Sequence, residues 1–438
     1  MKTTLLRLLV LAVGAFAIGA HAAPPNVVVI ISDDHHWGDY GFMGHPHIQT
    51  PHLDKLAKES LVFRRGYVPS SLCSPSLASI VTGRYPHEHR ITSNDPTKPD
   101  GMSRGEFYKS KPFKAGRARM VEHLDEWPTL PKLLGQAGYV SFQTGKWWLG
   151  SYTNGGFTTG MSQGGRHGDT GLDIGRKTMQ PIYDFIAGAK KESKPFFVWY
   201  APMMPHDPHT PPARLLAKHR DKAPSEPVAK YWAMVEWFDE TCGDLFAHLE
   251  REGLAKDTII VYVADNGWIT DPQTGRYAPK SKLSPYDGGL RTPIMVRWSA
   301  KLAPKQSDTP VSSLDLFPTI LKACGVELPK DLPGIDLADV AAINSRKALT
   351  GECFSHNFLD QDNPAASLRW RWILEDGWKL IVPAPQNEKG QPELYRVRDD
   401  PNEEQDRAAT EPARVATLRA KLDAWWPGKY QATNNPSR

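Results

Sequence analysis

Residues Asn26 to Ile31 read N-V-V-V-I-I, an apolar run without the alternation of a half-solvated strand, and predict a strand buried on both faces. Tyr139–Phe142 and Phe196–Tyr200 predict short strands of the same kind, and Thr258–Ala264 predicts a strong one. Between them the period changes to that of a helix. Thr50-Pro51 predicts a helix start, with Thr as N-cap, Pro at N1 and Leu53, Leu56 and Ala57 as the apolar stripe. From Tyr231 to Leu249 the residues Trp232, Val235, Phe238, Cys242, Leu245, Phe246 and Leu249 recur at helical spacing. Strand and helix patterns in alternation predict an α/β fold with a largely parallel central sheet flanked by helices. After Gly325 the pattern shifts. A Pro/Gly-containing connector, Leu328–Asp339, leads to Trp370–Ile373, Trp378–Val382 and Glu393–Val397, which predict short antiparallel strands, and then to a helix from Pro412 to Trp426. These define a smaller C-terminal α+β subdomain containing an antiparallel sheet. The basic stretch Lys98–Arg119 reads as a loop.

Lys2, Arg7, the apolar run Leu8–Ala20 and the A-x-A site Ala20-His21-Ala22 have the form of a cleavable signal peptide. The run is shorter than the ~20 apolar residues a membrane span takes, and no later stretch is longer. The expectation is an exported protein, periplasmic or secreted, without stable membrane insertion after cleavage. A chain of 438 residues is more than one core usually holds. The expected division is 1–22 signal peptide, 23–340 catalytic α/β domain and 341–438 C-terminal subdomain. A formal charge of +4, less Lys2 and Arg7, marks no nucleic-acid partner. The cysteines Cys73, Cys242, Cys324 and Cys353 are too few for a disulfide scaffold. Export permits a bridge among the last three, and spacing does not pair them.

The chemistry gathers after the strands. The first ends in Asp33-Asp34, the Thr258 strand in Asp265-Asn266-Gly267, the Tyr139 strand leads to Lys146, and the Phe196 strand leads to Pro205-His206-Asp207-Pro208-His209. Singly, each has an ordinary reading: a helix cap, a turn, an exposed lysine, a structural histidine. Together they fall at the carboxyl ends of strands, where parallel sheets bind ligands. Carboxylate and amide oxygens suit a hard divalent cation, Ca²⁺ or Mg²⁺, and nothing here resembles a soft Cys/His zinc site. Cys73 precedes Ser74, a good N-cap, and Pro75, a good N1 residue, with Gly83 as the stop. That places it at a helix N-terminus, where a thiolate or a bound oxyanion is stabilised. A buried structural cysteine is the plain alternative.

At these residues the chain resembles type I sulfatases of the alkaline phosphatase superfamily. Pro25 to Asp34 looks like the family's first strand and metal-binding pair, and Thr50 to Ala57 like its first helix. Cys73-Ser74-Pro75-Ser76-Leu77 through Thr82-Gly83-Arg84 resembles the signature C-x-P-S-R-x-x-x-x-T-G-R. Gly145-Lys146-Trp147-Trp148-Leu149-Gly150 resembles G-K-W-H-L-G. Asp265-Asn266-Gly267, then Lys282 before Tyr286 to Pro293, looks like the second half of the site. Glu393-Leu394-Tyr395 and Asp399 to Glu403 resemble the motif closing the family's C-terminal domain. The resemblance implies hydrolysis of a sulfate ester, on a sulfated small molecule or carbohydrate. The signature cysteine is oxidised to Cα-formylglycine by a formylglycine-generating enzyme, and its hydrate attacks sulfur. By motif, Asp33, Asp34, Asp265, Asn266 and modified Cys73 hold Ca²⁺, Lys146 and Lys282 bind the sulfuryl oxygens, and His206 donates a proton to the leaving oxygen, with His209 a second candidate on the substrate side. Leu77 stands where the signature has arginine, and Trp148 where G-K-W-H has histidine. His35, His36, Arg84 and His87 are the nearby candidates to compensate. Two other readings of the same residues are a phosphodiester or phosphonate ester hydrolase and a non-catalytic binder of sulfated polymers.

Overall fold

The computed structural model describes residues 23–430, so the expected leader at 1–22 lies outside the described residues. In chain order the main sheet is made of β1 (Asn26–Ser32), β2 (Leu61–Tyr67), β3 (Val140–Gly145), β4 (Thr159–Gly160), β5 (Phe196–Ala201), β6 (Thr258–Ala264), β7 (Arg291–Arg297), β8 (Lys305–Ser307) and β9 (Val311–Ser312). Their spatial order is β4-β3-β5-β1-β6-β7-β2-β8, with β9 also on β2. The pairs of β1 with β5 and β6 and of β3 with β4 and β5 are parallel, while β7 runs antiparallel to β6 and β2. The expected parallel α/β sheet is the fold.

Side chains of β1 divide by parity, as a strand's must. Val27, Val29 and Ile31 enter one core, and Val28 and Ile30 enter the other. The first core packs under the helices Cys73–Thr82, Leu130–Gln136 and Leu316–Ala323, and the second under Pro51–Lys58, Gln180–Lys191 and the long Glu226–Arg251. That explains the apolar run read from the sequence: neither face of the central strands meets water.

A second sheet, in the order β10 (Ala348–Phe354), β11 (Leu368–Glu375), β12 (Trp378–Pro383) and β13 (Glu393–Tyr395), is antiparallel throughout. A helix, Pro412–Trp425, covers it through Leu418 and Leu422. A buried ion cluster ties this sheet to the first. Lys379 Nζ lies 2.9 Å from Asp287 Oδ1 and 3.0 Å from Glu403 Oε1, and Tyr67 donates to Asp287 Oδ2 at 2.9 Å.

Three local expectations change. The stretch 98–119 is helical over Arg104–Lys109 and into Lys111–Asp125, because Ser103 and Glu106 form a capping box and Ser110 caps the second helix. Its Arg117 is buried and its Arg119 is committed to Glu122 and Asp362. The last strand stops at Tyr395 rather than Val397. The Cys73 helix starts at Cys73 itself with Leu72 as N-cap, because the Ser74 amide donates to Asn94 Oδ1 at 2.8 Å and its hydroxyl caps nothing.

Candidate active site

Four adjacent strands, β3, β5, β1 and β6, end on one edge, and the residues just past their ends meet there. Backbone bonds hold the exits in register: Lys146 N to Ala201 O at 2.6 Å, Asp33 N to Met204 O at 2.9 Å and Asp265 N to Ser32 O at 2.9 Å. Asp34 itself sits in the left-handed region at φ 60, where a side chain costs energy unless its surroundings fix it. Its amide donates to Asp265 Oδ1 at 3.1 Å, which does fix it.

Cys73 arrives from the other side, at the start of a fully buried helix. Lys146 Nζ donates to Asp33 Oδ1 at 2.5 Å and to Cys73 Sγ at 3.1 Å. Cys73 Sγ is 3.4 Å from Asn266 Oδ1, and Asn266 Nδ2 donates to Asp34 Oδ1 at 2.7 Å. Lys282 reaches in from the loop after β6 and donates to both oxygens of Asp34, at 2.6 and 2.8 Å. The loop is seated by Leu283 N on Ser71 O, two residues before the cysteine. His206 Nε2 lies 3.5 Å from Asp34 Oδ2, and Arg176 holds the His206 loop by donating to the carbonyls of Met203 and His206. His209 stands further out, against Tyr231 and Trp268, with Nε2 buried and unbonded.

The electrostatics follow from burial. Asp33 and Asp265 are both pushed above the usual carboxylate range, first by desolvation; Asp265 adds to this for Asp33 and Asp34 for Asp265, while Lys146 opposes it in both. Burial acts to lower Lys146 and Lys282, but the carboxylates and Cys73 override it and hold both ammonium groups charged. Burial pushes the Cys73 thiol up to about 12 against the pull of both lysines, so the helix start does not make it a thiolate. His206 is driven well below the ordinary imidazole value by burial, then by Lys146 and Lys282.

Asp33, Asp34, Cys73 and His206 offer ligand atoms that all lie within 4.8 Å of one another, a group able to hold a metal ion. Asp265 and Asn266 adjoin it. Two carboxylate oxygens, Asp33 Oδ2 and Asp265 Oδ2, are buried with no hydrogen-bond partner. Buried carboxylate oxygens are satisfied by donors or by a cation, and the oxygens here, from Asp33, Asp34, Asp265 and Asn266, are hard donors that fit a divalent ion of the Ca²⁺ type, beside the Cys73 sulfur and the His206 ring.

Leu77, one turn after Cys73, is fully buried in the core beneath the sheet. The four candidates to compensate are committed elsewhere: His35 to Asp39 O and Tyr40, His36 to Asp39, Arg84 to the carbonyls of Lys330 and Asp331, and His87 to Glu352. All four cysteines are free.

The sulfatase family profile matches residues 25–326, and that of the N-sulphoglucosamine sulphohydrolase C-terminal region matches 279–424. The chain is 29% identical over 380 residues to arylsulfatase A of Homo sapiens, covering 74% of this chain and 69% of that one. It is 28% identical over 373 residues to N-acetylgalactosamine-6-sulfatase of Rattus norvegicus, covering 74% and 67%. Two solved structures share the fold. One is a protein in complex with its substrate D-glucosamine-2-N,6-O-disulfate, at TM-score 0.73 and 21% identity over 92% of this chain and 98% of that one. The other is the phosphonate monoester hydrolase of Agrobacterium radiobacter, at 0.65 and 18% over 91% and 95%. The chain belongs to the sulfatase family: it is a type I sulfatase of the alkaline phosphatase superfamily, an enzyme of the sulfuric ester hydrolase class.

Proposed function

We propose that the protein hydrolyses a sulfate ester on a sulfated carbohydrate, with Cys73 as Cα-formylglycine at the reaction centre and Ca²⁺ held by Asp33, Asp34, Asp265, Asn266 and the modified Cys73. One observation carries this: Lys146 and Lys282, both buried, flank Cys73 and its carboxylate cluster. Three carboxylates against two ammonium groups leave one net negative charge. A divalent cation turns that into one net positive charge, which matches the single negative charge of a sulfate ester.

Formylglycine supplies the nucleophilic hydrate, and Ca²⁺ supplies Lewis-acid polarisation of a sulfuryl oxygen. The rest falls to this chain's side chains. With the carboxylates committed to a cation, Lys146 and Lys282 keep their charge for the sulfuryl oxygens. His206 is the group placed to pass a proton to the leaving oxygen: its Nδ1 donates to the Asp207 carbonyl and its Nε2 faces Asp34, so the proton delivered is the one Nε2 carries in the imidazolium form, which the negative charge of a bound ester favours. His209, against Trp268 and Tyr231, meets the alcohol portion of the substrate. The carbohydrate reading is supported by the relative named for N-acetylgalactosamine 6-sulfate and by the structural neighbour's disulfated glucosamine. Modification of Cys73 brings in a formylglycine-generating enzyme as partner, and the N-terminal pattern supports export to the periplasm or beyond. Among the described residues no helix is long and apolar enough to cross a membrane.

A phosphonate monoester also carries one negative charge, and a structural neighbour hydrolyses that class. An aryl sulfate and an aryl phosphonate monoester with the same leaving group separate the readings. A higher kcat/KM on the sulfate is expected; the reverse order overturns the proposal.

A further inference from the structure

The G-K-W-H histidine position is filled by Trp148, a fully buried ring that cannot accept a proton or carry charge. The ring that Trp148 meets edge-on is His167, with centroids 4.4 Å apart at 78°. His167 belongs to no motif read from the sequence. It comes from the irregular turn Arg166–Asp173, and its ring centroid is 5.8 Å from that of His206.

The turn is seated on the end of β3. Trp147 N donates to His167 O at 3.0 Å, and a Cβ on Gly168 would lie 2.3 Å from Gly145 O, so only glycine fits there. His167 and Asp169 are both left-handed, at φ 69 and 52. Such residues cost roughly 1–3 kcal/mol each and persist where the surroundings over-determine them. Here Asp169 Oδ2 accepts from the amides of Gln163 and Gly165, which closes the turn.

The orientation of the ring is set from behind. Asp95, buried, accepts from Arg166 Nε at 2.9 Å and Nη2 at 3.0 Å. That fork lays the guanidinium over Trp148 and Tyr108, each at 4.8 Å. Its remaining nitrogen, Nη1, lies 2.8 Å from His167 Nε2. A guanidinium only donates, so Nε2 is the acceptor and the single proton of the neutral ring is on Nδ1. Among the described residues nothing accepts from Nδ1. Burial and then the fields of Lys146, Arg166, His206 and Lys282 keep the ring neutral. Its place beside the site is fixed by its carbonyl's bond to Trp147 N, next to Lys146 in the chain, and by the 5.8 Å between its ring centroid and that of His206.

We propose that His167 is a substrate-contacting residue of this sulfatase, its Nδ1–H donating to a sulfuryl oxygen beside Lys146, with Asp95 and Arg166 as its positioning residues. The assignment rests on the sulfate-ester reading above, and the test separates the two. His167→Ala, His167→Asn and His167→Gln are made in the full chain, with the modification state of Cys73 checked by mass. Steady-state kinetics on an aryl sulfate, inhibition by inorganic sulfate and thermal melting are compared. An asparagine amide nitrogen falls near imidazole Nδ1, whereas glutamine reaches toward Nε2, and asparagine tolerates the left-handed backbone. The alanine variant should lose about a hundredfold in kcat/KM, as for loss of one donor to developing charge, and bind inorganic sulfate about tenfold more weakly. Asparagine should recover part of both, and glutamine neither. Inorganic sulfate that binds all variants as it binds the wild type, or activity losses that only follow the melting temperature, overturns the assignment and leaves the sulfatase reading standing. A wild type that neither binds sulfate nor cleaves the ester overturns both.

Discussion

The ammonium of Lys146 lies 3.1 Å from the sulfur of Cys73, a contact made possible because β3 ends where the Cys73–Thr82 helix starts. The same ammonium is 2.5 Å from Asp33. One cation thus touches both Cys73, the proposed nucleophile position, and Asp33, one of the proposed metal ligands. Lys146→Ala should lower kcat/KM by about 10²–10³, the cost of removing one preorganised donor to developing charge. An unchanged kcat/KM on an aryl sulfate contradicts the role given to Lys146.

Asp265 leaves one buried oxygen unsatisfied, as does Asp33. Ca²⁺ at a hundred times its Kd should stabilise the wild type by about 2.7 kcal/mol. Asp265→Ala should lose both that calcium-dependent shift in Tm and turnover. Full activity after exhaustive chelation speaks against a metal-assisted site.

How much of this was legible in the sequence depended on whether a residue's role was local. The apolar runs gave the central strands, because both faces of β1 and β6 are buried, and the residues after them fell where a parallel sheet collects its ligands. Asp33, Asp34, Lys146, Asp265 and Asn266 were found that way and do converge. Lys282 lies in an irregular loop and was reached only through motif resemblance. His167 was missed, since nothing near it in the chain is periodic and its position is fixed by Asp95, 72 residues earlier in the numbering (167 − 95), through Arg166. The basic stretch from Lys98 was misread because charge density outweighed a visible Ser103/Glu106 capping box.

The buried ion cluster between the sheets makes a stability prediction. Lys379 faces Asp287 and Glu403 with no exposure at its side chain. Lys379→Met leaves two buried carboxylates unpaired and should destabilise the protein by about 3–5 kcal/mol, seen in denaturant unfolding. A change under about 1 kcal/mol contradicts the clamp, since that is the worth of an exposed pair.

His89 is fully buried, its Nε2 3.1 Å from Ser79 Oγ and its Nδ1 accepting from Ile91 N. Burial lowers it to about 3. Its folded value lies below the unfolded one, about 6.5. As pH falls through that window the unfolded chain takes up the proton first, so stability drops by about 1.4 kcal/mol per pH unit and the loss ends near the folded value. His89→Gln should flatten the fall of Tm between about pH 6 and 4; an unaltered slope contradicts the buried neutral ring.

The central claim is that Cys73 acts only after conversion to formylglycine, in keeping with burial pushing its thiol pKa up. The mass of the Cys73 peptide from protein that turns over an aryl sulfate tests it most directly. The account predicts a loss of about 18 Da relative to cysteine, the change expected when the thiol becomes the aldehyde that supplies the covalent nucleophile. Unmodified cysteine throughout a preparation with full turnover would contradict it.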